Sequence, residues 1–156
     1  MEVFVHNSEK PALVDEADAA LVAPYKWALH TKGYACCRFW NGYGHTTVYM
    51  HRLIAGAARG QEVDHKNQRE KLDNRRANLR IATHAQNMAH CLRDRPHTSQ
   101  FRGVSWFKRD ACWVAHVRLF KKSKYLGLFE DEREAARAYD AAAKTAFGEF
   151  AVLNGI

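Results

Sequence analysis

The stretch VDHKNQREKLDNRRANLRIATHAQN, residues 63–87, decides how this chain folds. It begins with an Asp-His pair and ends on an Asn, with a polar loop and a short apolar run between them. EVDH reads as a strand, KNQREKLDNRRAN as a loop, and LRIAT as a second strand with Leu79 and Ile81 inward. THAQNMAH reads as a helix opened by a capping box of Thr83 and Gln86. In that order of elements, Asp64 and His65 on the first strand come opposite Asn87 on the first turns of the helix. Three polar side chains then converge on one groove.

Those residue types suit phosphodiester hydrolysis, which needs an activated water and a counter-charge for the extra negative charge that develops. An imidazole whose ordinary pKa is about 6.5 accepts a water proton at neutral pH. A hard cation held by oxygen ligands, one carboxylate and one amide, offsets the developing charge. Mg²⁺ keeps several waters and takes one or two protein oxygens, whereas Zn²⁺ prefers His and Cys. Arg75, Arg76 and Arg80 are placed to meet backbone phosphates, which attract without reading sequence. Alone, an Asp-His pair is ordinarily hydrogen-bonded structure and an Asn-rich loop is ordinarily a turn. The ordered set carries the meaning.

At these residues the chain resembles the HNH endonucleases of the phage-encoded, homing type. The matching signs are V-D-H, L-D-N-R-R-x-N-L and A-T-x-x-x-N, with HRLI at 51–54 also family-like. The resemblance implies that His65 is the general base and that Asp64 and Asn87 bind one divalent ion, Mg²⁺ or Mn²⁺, per active site. It implies further that Asn78 holds the loop and helps to orient His65. The family commonly has His where this chain has Asp64 and Asn87, and the loop HKNQREKLDN lacks the Gly usual after the His and is one residue longer. That departure bears on loop conformation rather than on the ligand set. His84 and His90 are expected to face solvent or phosphate.

The wider chain fits this reading. Of its 156 residues, 24 are Lys or Arg against 17 Asp or Glu, a basic excess that points toward a polyanionic partner. The excess is uneven: residues 101–127 carry seven basic and one acidic side chain, while residues 128–156 carry three and six. Cys36, Cys37, Cys91 and Cys112 form no CxxC pair and read as free thiols of a reducing compartment. The N-terminus lacks the pattern of a secretory signal, and no apolar run approaches the roughly 20 residues of a membrane span. The expected location is the cytoplasm, that of a bacterial host if the gene is phage-encoded.

CLRDRPHTSQ, residues 91–100, reads as a linker, dividing the chain into residues 1–95 and 96–156. In the first part, VFVHN and YACCRFW read as strands, EADAALVAPYKW as a short helix or turn, and NGYGH as a hairpin connection. TTVYMHRLIAGAA reads as a strand running into a helix with Val48, Met50, Leu53 and Ile54 toward the core.

In the second part, FRGVSW, CWVAHVRL and KYLGLF read as an antiparallel meander. Trp113, Ala115, Val117 and Leu119 share one face, and Val114, His116 and Arg118 share the other. DEREAARAYDAAAKTAFG is a helix with Asp131 at its N-cap, Glu134 three residues on and Gly148 as its stop.

This second part resembles the APETALA-two/ethylene-response-factor (AP2/ERF) DNA-binding domain through F-R-G-V-S-W, W-V-A-H-V-R, Y-L-G-L-F, E-A-A-R-A-Y-D-A-A-A and F-G-E-F-A-V-L-N. The resemblance implies a sheet laid in the DNA major groove, a mode that groove width permits. It puts Arg102, His116, Arg118 and Tyr125 at contact positions, with Ser105 and Phe107 where the plant domains have Arg. Lys121, Lys122 and Lys124 would add phosphate contacts.

The expectation is an α+β protein: a ββα-metal nuclease module, then a three-stranded antiparallel sheet packed on one helix. Its expected function is metal-dependent DNA cleavage or nicking, as a monomer on double-stranded DNA, with no membrane or small-molecule substrate. The alternatives are a non-catalytic DNA-binding protein on a degenerate nuclease fold and, more weakly, an RNA binder.

Overall fold

Alternating and helical apolar spacings lie side by side in HTTVYMHRLIA, and the computed structural model turns there from strand to helix. It describes residues 1–90, 98–119 and 122–156, divided into two compact units, Met1–His84 and Ala85–Ile156. The fold is mixed α and β, built from small antiparallel sheets.

In the first unit β1 (Glu2–Val3) pairs with β2 (Ala12–Leu13), and a 3-10 turn runs into α1 (Ala19–Val22). Of the expected VFVHN strand only Val3 is laddered in β1, with His6 joining Ala28 by an isolated bridge. Next come β3 (Ala28–Leu29), β4 (Ala35–Trp40) and β5 (His45–Tyr49), a three-stranded antiparallel sheet. α2 (Met50–Ala55) follows and stops at Gly56, whose φ of 61° is left-handed, as helix C-termini favour. Met50 and Ile54, one turn apart, are both fully buried, and each such side chain contributes about 2 kcal/mol. Val48 and Leu53 are partly buried against the same core.

β6 (Glu62–His65) and β7 (Leu79–Ala82) then pair antiparallel, and α3 (His84–His90) begins two residues after β7. Val63 and Leu79 join the core, but Ile81, expected inward, is 41% exposed. Its ladder partner Val63 and the following Ala82 are covered, so the core reaches this end of the ribbon without extending over the Ile81 side chain.

The 66–78 loop is long and polar, yet it is tied down. Leu13 donates its N–H to the Leu72 carbonyl at 2.8 Å, and Asn74 donates to the Leu13 carbonyl at 2.8 Å, so β2 continues onto the loop. Arg76 grips the buried Asp18 carboxylate at 2.9 and 2.6 Å. A segment without its own core is thereby held by backbone ladder and charge.

In the second unit β8 (Val104–Phe107), β9 (Cys112–Leu119) and β10 (Lys122–Phe129) form a meander with β9 in the centre. α4 (Glu132–Phe147) starts at Asp131, whose Oδ1 accepts from Arg133 N at 2.7 Å and Glu134 N at 3.0 Å, and ends at Gly148. Ala135, Ala136 and Ala143 are fully buried, and these small residues let the helix sit close to Ala115 and Val117 of the sheet. Gly103 is required by that closeness: at φ 76° a Cβ there would lie 2.0 Å from the Tyr139 ring. Trp113, Ala115, Val117 and Leu119 pack toward the helix as alternation requires. Val114, expected on the open face, is nevertheless buried, because it sits on the central strand between Ser105 and Leu128.

The 91–100 linker lies mostly outside the described residues, as does Lys121.

Candidate active site

β6 brings its polar pair into the interior rather than to the surface, since Asp64 and His65 are each only 3% exposed. Successive strand residues point to opposite faces, so the two side chains meet different neighbours. Asp64 stands directly across the ladder from Arg80, whose Nε and terminal nitrogen reach Asp64 Oδ2 at 2.9 and 2.8 Å. A carboxylate this buried demands a positive partner, and in this state the guanidinium provides it.

His65 Nε2 lies 3.3 Å from Oδ1 of Asn74, which is wholly buried. The Asn74 amide nitrogen donates to the Leu72 carbonyl at 3.0 Å and contacts Met50 Sδ at 3.4 Å. A carbonyl only accepts, so the amide must turn its nitrogen to Leu72 and its oxygen to His65. That oxygen in turn requires a proton on Nε2, leaving Nδ1 as the basic nitrogen of the ring. Burial lowers the His65 pKa from its ordinary value, against the opposing pull of the Asn74 bond and of the Asp64 and Asp73 charges.

Around this imidazole stands an aromatic wall: His51 edge-on at 5.2 Å and Tyr34 at 5.7 Å, with Tyr49 at 5.6 Å from His51. His51 is itself buried, its Nδ1 without a hydrogen-bond partner among the described residues. Desolvation, with the nearby His65 and Arg52 charges, lowers its pKa to about 3.

Asn78 accepts from the Asn67 backbone N–H at 2.8 Å and donates to the Asp73 carbonyl at 2.8 Å, joining the two arms of the loop. The described hydrogen bond of the His65 ring runs from Nε2 to the Asn74 oxygen, a residue the sequence reading passed over. Its signal was present in L-D-N-R-R, but nothing in the spacing marks which Asn of an Asn-rich loop turns inward. Asn87 is on α3, within the second unit. His84 is exposed and pairs with Glu62 at 2.7 Å.

Each arginine expected to meet phosphate holds a carboxylate: Arg75 with Asp73 at 2.7 Å, Arg76 with Asp18 and Arg80 with Asp64. Arg75 and Arg76 remain 52% and 60% exposed, so both retain surface, whereas Arg80 at 11% is enclosed.

Among the described residues no group of three or more His, Cys, Asp or Glu side chains is placed to hold a metal ion. The buried Asp64 carboxylate has the Arg80 guanidinium as its partner, so an ion binding there would have to share or displace that contact, and the oxygen donor suits a hard divalent ion better than a thiophilic one.

In the second unit the register puts Ser105, His116, Arg118 and Tyr125 on the face away from α4. His116 and Tyr125 meet edge-to-face at 5.7 Å, Tyr125 is 56% exposed, and Arg118 is exposed. Lys122 and Lys124 are exposed but pair with Leu119 and Val117, which places them on the helix side of the sheet. Arg102 directs Nε to the Tyr139 hydroxyl at 2.9 Å and a terminal nitrogen to the Ala89 carbonyl. Trp106 packs edge-on to Trp113 at 5.0 Å on the helix side.

Residues 48–89 match the family model described as HNH endonuclease, so the chain carries an HNH endonuclease domain built around β5, α2, β6 and β7. Part of the chain is also similar to plant proteins. It is 45% identical over 49 residues to APETALA2-like protein 2 of Oryza sativa, and 42% identical over 60 residues to AP2-like ethylene-responsive transcription factor TOE2 of Arabidopsis thaliana. These matches cover 31% and 38% of this chain but only 11% and 12% of those relatives. They are consistent with an AP2-like domain. Among the described residues no helix is long and apolar enough to cross a membrane.

Proposed function

We propose that the protein is a divalent-metal-dependent endonuclease of double-stranded DNA, in which an HNH module cuts or nicks and an AP2-like module holds the substrate. The observation that carries this reading is the buried His65 imidazole, held through Nε2 by Asn74 beside the Asp64 carboxylate within the matched segment. A neutral imidazole with Nδ1 as its basic nitrogen accepts the proton of the attacking water. Asp64 would lend a carboxylate oxygen to one Mg²⁺ or Mn²⁺, which when bound supplies charge neutralisation at the phosphate and the departing 3′ oxygen. Asn78 keeps the loop closed, so that Asn74 stays against His65. Arg75 and Arg76 lend positive surface to the approaching backbone, and Ser105, His116, Arg118 and Tyr125 form the outward face for the duplex.

A non-catalytic DNA-binding protein with a retired nuclease fold is the second reading, favoured by the ion pair that Arg80 makes with Asp64. Supercoiled plasmid incubated with and without Mg²⁺ or Mn²⁺ separates the two. Nicking that needs metal and disappears in His65→Ala, with plasmid binding retained, supports the enzyme. A wild-type protein that binds plasmid but never nicks it removes that reading.

A further inference from the structure

Residues 19–61 contain no Asp or Glu, although the chain has 17 of them, and in that span stand Lys26, Lys32, Arg38, Arg52 and Arg59. The sheet β3–β4–β5 and helix α2 therefore carry no negative side chain. At the far end of this sheet the β4–β5 hairpin exposes three aromatic residues within five positions: Phe39 at 40%, Trp40 at 62% and Tyr43 at 98%. Scattered exposed aromatics are ordinary, but a cluster on a carboxylate-free projection asks for an occupant.

The hairpin is built to keep its shape. Asn41 Oδ1 accepts from Tyr43 N at 3.0 Å and Gly44 N at 2.9 Å, its amide nitrogen donates to Thr46 Oγ1 at 2.9 Å, and Gly42 adopts the φ of 96° that the turn needs. Trp40 and His45 face each other across the ladder with rings 5.4 Å apart.

The register also states which way the tip faces. Cys36 pairs with Tyr49, Arg38 with Thr47 and Trp40 with His45, so Arg38, Trp40, His45, Thr47 and Tyr49 share one face of the hairpin. Tyr49, at the base of that face, lies 5.6 Å from His51, which lies 5.2 Å from His65. Ring contacts thus link the buried imidazole to the base of the hairpin face that ends in the aromatic tip. Tyr49 lies four residue steps along the strand from His45, a span of about 13 Å. On DNA that equals about four nucleotides at 3.4 Å each.

We infer that the β4–β5 hairpin is a DNA-contacting finger of the nuclease unit, with Arg38 meeting backbone phosphate and Trp40 and Tyr43 packing against the bases or sugars of the duplex beside the cut. The inference rests on the nuclease reading for the position of the cut, and on charge and aromatic exposure for the ligand. Aromatic contacts of this kind are tolerant of sequence, so the finger adds affinity and register without selecting a site.

The test uses the full chain carrying Trp40→Ala with Tyr43→Ala, and separately Arg38→Ala. Dissociation constants for duplex DNA are measured without metal, and kcat/KM is measured with metal on the duplex and on thymidine 5′-p-nitrophenyl phosphate. The double variant should bind duplex about tenfold or more weakly. Its kcat/KM on the duplex should fall by much more than its kcat/KM on the small diester, and Arg38→Ala should reduce the salt dependence of binding. Duplex affinity within about twofold of wild type overturns the finger, as does an equal loss on both substrates, which would mean damage to the centre itself. A hairpin that instead pairs two copies of the chain would show as dissociation of a dimer in the double variant with duplex affinity unchanged, which also overturns it. A wild type that binds the duplex and never cuts would refute the nuclease reading alone, and the binding comparison would still decide the finger.

Discussion

His65 Nε2 and Asn74 Oδ1 lie 3.3 Å apart inside the first unit, and the Leu72 carbonyl leaves Asn74 no other way to turn its amide. One buried amide therefore selects the tautomer of the proposed base. Asn74→Ala should reduce metal-dependent nicking on the order of 100-fold, with duplex binding retained, and should cost about 2 kcal/mol of stability. Asn74→Asp accepts the same N–H but adds negative charge, so it should restore part of the activity and move the acid limb of the pH–rate profile upward. If both variants lose stability alike and no limb moves, Asn74 is structural only.

Arg80 is the present partner of Asp64, and both are buried. Arg80→Met leaves the carboxylate without that partner and should destabilise the unit by about 3 kcal/mol when no metal is added. If Asp64 is a ligand, millimolar Mg²⁺ should recover much of the loss, because an ion that binds the folded state alone stabilises it. Melting curves with and without Mg²⁺ decide this, and a Tm of the variant that ignores the ion removes Asp64 as a ligand.

His51 has a folded pKa of about 3 against an ordinary 6.5. The unfolded chain thus binds the proton first, so stability is full above about pH 6.5 and declines as pH falls toward 3, by up to about 1.4 kcal/mol per unit. His65, also lowered by burial, acts in the same direction. His51→Phe should flatten this acid decline without abolishing it. Thermal melts across the acid range should show a smaller loss of Tm in the variant, and parallel curves would contradict the assignment.

Arg118 is exposed on the open face of the second sheet, across from Ser123. Arg118→Ala should weaken duplex binding at every sequence and reduce the salt slope by about 1, while the cutting rate at saturating DNA stays near wild type. A change in rate alone, with affinity unaltered, would contradict the proposed division of labour between the modules.

Much of this architecture is legible residue by residue. The strand-to-helix change in HTTVYMHRLIA, the paired strands EVDH and LRIA, and the Asp131–Gly148 helix all follow from local periodicity and capping chemistry, which act over a few residues. Ile81 and Val114 departed from expectation because alternation assigns a face but not how far the covering layer extends. The arginines show the same limit: charge pattern marks them as basic, but Asp18 lies 58 positions from Arg76, and no local rule announces that pairing.

The order V-D-H, L-D-N-R-R-x-N-L, A-T-x-x-x-N determined the kind of module and the residues able to carry its chemistry, since spacing along strand and helix is a local property of the chain. Only the tertiary structure decided that Asn74 meets His65, that Arg80 closes on Asp64 and that the face of Tyr49 continues to an exposed aromatic tip. Those are contacts between segments brought together by burial of the core, and a buried polar group accepts whichever partner that packing delivers.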